Sequence, residues 1–111
     1  MKATRIDLDG TVLLTLRGDF DSFVVDEFLD HIDALCDEGV ERIILNMRRV
    51  RFVNSSALGA LIKARRTLQR LGGELAISAP SAAFTDAVNV LGLGRQFLVQ
   101  EDDELALDAV A

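Results

Sequence analysis

The chain has 111 residues, of which half are hydrophobic and 27% are charged, and its formal net charge is −6. This length suits one globular domain, 1–111, and the high hydrophobic fraction with a single proline excludes a disordered tail. The excess of acidic residues opposes general attraction to nucleic acid or to an anionic membrane, so we expect neither as a partner.

The first residues carry charges where a signal peptide needs an apolar stretch, and no apolar run approaches the roughly 20 residues that span a bilayer. We therefore expect a soluble, cytoplasmic protein. The chain has one cysteine, Cys36, and one histidine, His31, both near the buried side of a predicted helix. One residue of each type favours packing over ligation, so we expect no disulfide, no metal site and no cofactor.

The N-terminal third predicts a hairpin followed by a helix. Residues 5–8 and 12–16 have strand-like patterns on either side of an Asp-Gly turn, which indicates two paired strands. After a turn at 18–22, apolar residues recur at helical spacing with carboxylates between them, and a glycine ends the pattern. The predicted buried stripe of this helix comprises Val25, Phe28, Leu29, Ile32, Leu35 and Cys36.

Two further strand–helix units follow. Residues 42–47 form a continuous apolar run, typical of a central strand covered on both faces. A polar Asn-Ser-Ser corner leads into a helix over about 55–71, which a Gly-Gly pair ends. Residues 74–78 predict the next strand, and a helical stripe occupies 83–91 after the single proline.

The C-terminal part predicts a short edge strand at 96–99 and a last helix over 102–110. The full order of elements is β-β-α-β-α-β-α-(β)-α. This order predicts a single α/β domain, with a mainly parallel or mixed sheet of four to five strands and about four helices.

The charges are unevenly distributed along the chain. Eleven acidic residues lie between Asp7 and Glu41, whereas residues 48–70 contain seven basic residues and no acidic one. A basic run of this kind serves either as a docking patch or as a solvated helix face. We expect a solvated face that pairs with the neighbouring acidic helix.

The most informative stretch is the corner Asn54-Ser55-Ser56, where an apolar strand ends and a helix begins at once. The first turn of a helix has free backbone N–H groups and a positive dipole end, so a hydroxyl there tolerates or binds an anion, including an attached phosphate. Plain helix capping by Asn54 or Ser55 accounts for the same residues without any regulation. Both interpretations are compatible with the residues alone.

Enzymatic motifs are missing from the sequence. The serines do not lie in a Gly-x-Ser-x-Gly elbow, there is no phosphate-binding loop, and the segment Gly92-Leu93-Gly94 lacks the third glycine of a dinucleotide fingerprint. One distant histidine is weak support for an activated serine. We therefore expect a binding protein and not an enzyme.

The element order, together with Asn54-Ser55-Ser56-Ala57-Leu58-Gly59, resembles the STAS domain family and, within it, the bacterial anti-sigma factor antagonists. The resemblance covers almost the whole chain. It also includes the segments Leu16-Arg17-Gly18-Asp19-Phe20-Asp21, Ile44-Leu45-Asn46-Met47 and Gly72-Gly73-Glu74-Leu75.

This resemblance implies a partner-switching regulator. Ser56, with Ser55 as the alternative, is then the residue phosphorylated by an anti-sigma factor that is a serine kinase, and a serine phosphatase reverses the modification. The unmodified protein is expected to capture the kinase, so that the sigma factor is released. The implied partner-binding residues are Asp21, Asn54, Ser55, Ser56, Ala57 and Leu58, and we expect a monomer or weak dimer.

Two residues depart from the family pattern at the corner. Asn54 stands where the family usually has Asp, and Ala57 stands where it usually has Gly. Asn54 can still accept the capping hydrogen bond, but a negative charge is lost beside Ser56. Ala57 stabilises the helix by roughly 1 kcal/mol relative to Gly, and its methyl group limits how closely the backbone of a partner can approach.

Four other functions are compatible with the same resemblance or fold. They are a STAS regulator of a non-sigma output, a scaffold member of a signalling assembly, a soluble STAS subunit of a transport complex, and a domain that binds a nucleotide or small ligand.

Overall fold

The computed structural model describes residues 1–111 as a sheet of five strands with four helices. The strands are β1 (Lys2–Leu8), β2 (Thr11–Phe20), β3 (Arg42–Val53), β4 (Glu74–Ser78) and β5 (Val99–Gln100). The helices are α1 (Val25–Asp37), α2 (Ser55–Arg70), α3 (Ala82–Leu91) and α4 (Asp103–Val110), with a short 3₁₀ turn at Gly94–Gln96. The predicted α/β class and order of elements are confirmed.

The sheet is mixed, with strand order β1-β2-β3-β4-β5. β1 pairs antiparallel with β2 through the tight turn at Asp9 and Gly10, and every other neighbouring pair is parallel. Both turn residues have positive φ, as a two-residue hairpin requires. Because β2, β3 and β4 run in the same direction, the loops that lead into α1, α2 and α3 all leave from one edge of the sheet.

β3 is longer than predicted, ending at Val53 instead of Met47. The sequence pattern broke at this point because three arginines interrupt the apolar run. In the structure, register shifts opposite β2 mark β-bulges in which β3 has the extra residues. Val50 and Val53 therefore still enter the core while the arginines stay exposed, and β3 delivers the Asn-Ser-Ser corner directly to α2.

The sheet is covered unequally on its two faces. Most buried side chains belong to one cluster between the sheet and the helices α1, α2 and α3. The other face has a small cluster under α4, formed by Leu13, Ile44, Ala76, Ala106 and Val110. Asp103 fixes α4 to the sheet by accepting hydrogen bonds from Asn46 Nδ2 at 3.0 Å and Ser78 Oγ at 2.5 Å.

Cys36 is partly buried in α1 and packs against the main core, in agreement with its predicted packing role. Burial raises the pKa of the Cys36 thiol, and the nearby carboxylates of Asp33 and Asp37 raise it further. A thiol in this environment is a poor nucleophile.

None of the four helices has the length and apolar character that crossing a membrane requires.

The expected pairing between the basic run and the acidic helix is wrong. Of the seven basic residues, Arg65 pairs with Glu74 at 2.8 Å, and Arg51 lies 3.9 Å from Asp19. No ion pair joins the run to a carboxylate of α1. The two helices contact each other within the apolar main core, whereas Lys63, Arg66 and Arg70 lie on the exposed side of α2. The run therefore leaves several cations without a counter-charge.

The backbone of Glu41 passes so close to Gly73 that only glycine fits there, and this contact gives a first prediction. A Cβ at this position would collide with the carbonyl oxygen of Glu41, the same oxygen that accepts a hydrogen bond from Glu74 N–H. We expect Gly73→Ala to lower the free energy of unfolding by about 1–3 kcal/mol, because the backbone must shift. Gly59→Ala, in an open position of α2, is the matched control and should raise stability by up to about 1 kcal/mol.

Urea denaturation of the two alanine variants measures both effects. Equal stability of Gly73→Ala and the unmodified chain would contradict the proposed backbone contact.

The Arg65–Glu74 pair gives a pH-dependent prediction. Burial opposes ionisation of Glu74, but hydrogen bonds from Arg65 and from Leu75 N–H outweigh it and hold the pKa of Glu74 below its usual value. A lowered folded-state pKa adds stability that is complete above the unfolded value of about 4.3 and is lost as the pH falls through the folded value. Arg65→Met should cost about 1–3 kcal/mol at pH 7.

Thermal unfolding between pH 7 and pH 3 tests this pair. Arg65→Met should lose less stability on acidification than the unmodified chain, whereas Arg66→Met, on the exposed side of α2, should follow the unmodified chain. Parallel curves for the unmodified chain and Arg65→Met would refute this role of the pair.

Candidate functional site

Asn54 is the N-cap of α2. Its backbone is extended, with φ −111° and ψ 179°, and its side-chain oxygen accepts a hydrogen bond from Ala57 N–H at 3.0 Å. Its backbone carbonyl accepts the first helical hydrogen bond, from Leu58 N–H at 3.1 Å. Asn54 therefore provides the cap that the sequence predicted.

Ser55 and Ser56 are the first two residues of α2, and both are exposed. The side-chain hydrogen bonds of the corner involve Asn54 and not the serine hydroxyls. The backbone N–H groups of Ser55 and Ser56 have no acceptor within the chain. The corner thus presents two hydroxyls and two free N–H groups at the positive end of a 16-residue helix.

Ala57 and Leu58 lie on the opposite side of the helix start. Both are fully buried and belong to the main core, where they hold the first turn of α2 against the sheet. Their side chains are out of reach of a protein that docks on the corner. The candidate surface therefore contains Asn54, Ser55 and Ser56, and it does not contain these two apolar side chains.

Asp21 shapes the turn between β2 and α1. Its Oδ1 accepts a hydrogen bond from Phe23 N–H at 3.0 Å, and its carbonyl oxygen accepts one from Val24 N–H at 3.2 Å. The N-cap of α1 is Val24, which makes no side-chain capping hydrogen bond. Asp21 therefore stabilises its own turn and does not cap the helix.

A hydrogen bond joins the Asp21 turn to the serine corner. Asn54 Nδ2 donates to Ser22 Oγ at 3.2 Å, and Asn54 N–H donates to the carbonyl oxygen of Phe20 at 3.4 Å. Through its side chain and its backbone N–H, Asn54 thus connects the serine corner to the Asp21 turn. The sequence-predicted residues Asp21, Asn54, Ser55 and Ser56 are brought together at one edge of the sheet.

Phe23 is the residue that the sequence analysis missed. It lies at the tip of the Asp21 turn with 95% of its surface exposed. The buried stripe predicted for α1 begins at Val25 and therefore left Phe23 outside it. An aromatic residue in an otherwise polar turn, out of phase with the helix, was the available signal, because such a side chain is costly to leave in water.

Two shallow grooves flank the corner, and Arg51 contributes to both. The basic groove, of about 490 Å³, lies beside the Asp21 turn. Its charged and aromatic lining consists of Lys2, Arg17, Asp19, Asp21, Phe23 and Arg51. The apolar groove, of about 420 Å³, lies between the end of β3 and α3, and Ser55 forms part of its wall. Its apolar lining consists of Phe52, Val53, Ala83, Ala87, Val90 and Leu91.

The chemistry available at the corner is anion binding and protein contact. The structure has no group of three His, Cys, Asp or Glu side chains placed to hold a metal ion. No side chain that could act as a general base is hydrogen-bonded to Ser55 or Ser56. The hydroxyls are therefore accessible to an external enzyme but are not activated as nucleophiles by their own surroundings.

The role of Asn54 gives a prediction for stability. We expect Asn54→Ala to lower the free energy of unfolding by about 0.5–2 kcal/mol, because the variant loses the cap of α2 and the bond to Ser22. Asn54→Asp is the matched control: it keeps an acceptor for Ala57 N–H, and the Ser22 hydroxyl can donate to it. Equal stability of the alanine and aspartate variants in urea denaturation would show that the cap is unimportant.

Comparison with known proteins identifies relatives of the whole chain. The sequence model of the STAS domain family matches residues 3–106. An anti-sigma F factor antagonist from Lysinibacillus sphaericus is 29% identical over 101 residues, covering 90% of this chain and 86% of the relative.

Solved structures give the same result at the level of the fold. The anti-sigma factor antagonist SpoIIAA in its unphosphorylated form is similar with a TM-score of 0.79 and 24% identity, over 97% of this chain and 95% of that one. The Bacillus cell fate determinant SpoIIAA in its phosphorylated form has a TM-score of 0.72 and 24% identity, over 97% and 98% of the two chains.

Proposed function

The chain belongs to the STAS domain family, and from this membership we propose that it acts as an anti-sigma factor antagonist controlled by phosphorylation of Ser56. In its unmodified form it binds an anti-sigma factor that is a serine kinase, and the sigma factor is released. Phosphorylation at Ser56 ends this binding, and a serine phosphatase restores it. The protein is a binding partner in this scheme and catalyses no step.

One observation carries the proposal: Ser56 is exposed at the second position of α2, beside two backbone N–H groups that have no acceptor. A kinase can reach a hydroxyl in this position. The free N–H groups and the helix dipole can then accept the phosphate without any change in the fold. Ser55 has the same exposure and remains the alternative acceptor, although it also forms part of the apolar groove.

Relatives of the chain support the assignment in two ways. The Lysinibacillus sphaericus relative is an anti-sigma F factor antagonist. SpoIIAA has been solved in unphosphorylated and phosphorylated forms, so a protein with this fold is phosphorylated.

The proposed switch is electrostatic. A phosphate adds a charge of about −1.5 to −2 at neutral pH. A partner carboxylate about 7 Å away, at an effective dielectric constant near 20, is repelled by roughly 2–5 kcal/mol. That repulsion weakens binding by more than tenfold, so the interface changes while the domain keeps its structure.

The docking surface that we propose consists of Asn54, Ser55 and Ser56 together with the Asp21 turn and the exposed Phe23. Phe23 supplies apolar area that favours a protein partner. Asn54 contributes its hydrogen bonds and no charge, so the approach of an acidic kinase residue is less hindered here than beside an aspartate.

Affinity purification from cells that encode the chain, followed by identification of the bound protein, tests the partner. Titration calorimetry with that partner then tests the switch. We expect Ser56→Asp to weaken binding by more than tenfold with an unchanged circular dichroism spectrum, because the added carboxylate imitates part of the phosphate charge. Ser56→Ala is the matched control and should bind within about twofold of the unmodified chain.

Phosphorylation itself is mapped by mass spectrometry after incubation with the captured kinase and ATP. Phosphate on Ser56 is the expected result, and phosphate only on Ser55 would transfer the role to the neighbouring residue. Tight binding by Ser56→Asp, or a captured partner without kinase activity, would contradict the proposal.

A further inference from the structure

The open part of the sheet carries three aligned cations. Lys2 pairs with Arg17 across β1 and β2, and Arg17 pairs with Arg49 across β2 and β3. All three residues are exposed. Side chains alternate along β2, so Arg17 lies on the same face of the sheet as Leu13, which packs under α4. Helix α4 contacts β3 and β4 and leaves the row of cations uncovered.

No carboxylate neutralises this row. The ion pairs of the chain involve Arg5, Arg51 and Arg65, and none includes Lys2, Arg17 or Arg49. Like charges directly opposite one another on neighbouring strands are destabilising. The chain has a net charge of −6, but no ion pair offsets the repulsion among these three cations.

Two residues of the row line a concave surface that extends to the Asp21 turn. Lys2 and Arg17 line the basic groove together with Arg51, and the groove reaches the Asp21 turn and the exposed Phe23. It also contains two carboxylates: Asp21 accepts from Phe23 N–H, and Asp19 lies 3.9 Å from Arg51, which leaves Lys2 and Arg17 without an ion-pair partner. The groove thus offers uncompensated positive charge beside an exposed aromatic ring.

We propose that the basic groove, together with Arg49 beside it, docks an acidic segment of the protein partner, with carboxylates on Lys2, Arg17 and Arg49 and an apolar side chain on Phe23. This proposal rests on the proposed function only for the identity of the partner. It extends the proposed docking surface from the Asp21 turn and Phe23 along the row of cations, away from Ser56, and this extension supplies affinity and orientation before and after the hydroxyl is modified.

Protein carboxylates fit this surface better than the other common polyanions. Nucleic acid and anionic lipid present continuous negative charge over areas wider than this groove, and the chain around it is strongly acidic. A short acidic segment with one apolar residue matches both the small area of positive charge and the single aromatic side chain.

Nuclear magnetic resonance titration of the ¹⁵N-labelled full chain tests the proposal. The probe is a capped peptide of six glutamates with one central leucine, and the comparison probes are the corresponding hexalysine peptide, a single-stranded thymidine oligonucleotide and vesicles of phosphatidylglycerol with phosphatidylcholine. We expect saturable shifts of the amides of Arg17, Gly18, Phe23 and Arg49 with the acidic peptide, which weaken as the salt concentration rises.

Variants locate the binding. The double variant Arg17→Gln/Arg49→Gln should bind the acidic peptide at least tenfold more weakly than the unmodified chain. The control Lys63→Gln/Arg66→Gln, which removes two charges from α2, should bind it within twofold of the unmodified chain. Phe23→Ala should weaken binding of this peptide, and it should leave unchanged the binding of the same peptide with glycine in place of leucine. A variant is still folded if its thermal unfolding midpoint lies within about 4 °C of that of the unmodified chain. For a domain of this size, such a shift corresponds to about 1 kcal/mol of stability.

Absence of saturable shifts, equal binding by the Arg17→Gln/Arg49→Gln variant, or preferential binding of the oligonucleotide or the vesicles would overturn the proposal. The experiment contains no kinase and no phosphate on Ser56. Its outcome is therefore independent of whether the proposed phosphorylation occurs.

Discussion

The two hydrogen bonds of the Asn54 side chain are the interaction on which the site depends. The oxygen accepts from Ala57 N–H and sets the start of α2, while the amide nitrogen donates to Ser22 Oγ and holds the neighbouring turn. With the first turn of the helix fixed in this way, the serines at its first two positions face solvent. A single polar side chain thus determines both where the helix begins and how the Asp21 turn lies against it.

The core makes this arrangement rigid from below. Ala57 and Leu58 are fully buried beneath the corner, and β3 is anchored on both sides by neighbouring strands. Parallel β2 and β3 place their following loops at the same edge, so the turn and the corner meet without a long connection. The resulting surface combines free N–H groups, hydroxyls, one exposed aromatic ring and a groove with uncompensated positive charge, which suits protein recognition better than catalysis.

Local signals in the sequence predicted much of this structure. Apolar periodicity identified the four helices and the first four strands, and the polar Asn-Ser-Ser corner identified the start of α2. The edge strand predicted at 96–99 instead lies at Val99–Gln100, after the 3₁₀ turn at Gly94–Gln96. The end of β3 was not predicted, because bulges allow Val50 and Val53 to reach the core across a stretch that reads as polar. Phe23 was missed for a related reason: whether an apolar side chain in a turn is buried depends on tertiary packing. The absence of ion pairs between the basic run and α1 likewise depends on tertiary packing, which no local pattern specifies.

The central claim is that a charge placed on Ser56 is accepted by the domain and changes only its surface. The most direct measurement is the two-dimensional ¹H–¹⁵N spectrum of the chain with phosphoserine incorporated at position 56, compared with that of the unmodified chain. The account predicts downfield movement of the Ser55 and Ser56 amide protons, changes confined to the corner and the Asp21 turn, and unaltered amides in β3 and α1. Changes spread through the core strands, or loss of the first turn of α2, would contradict it.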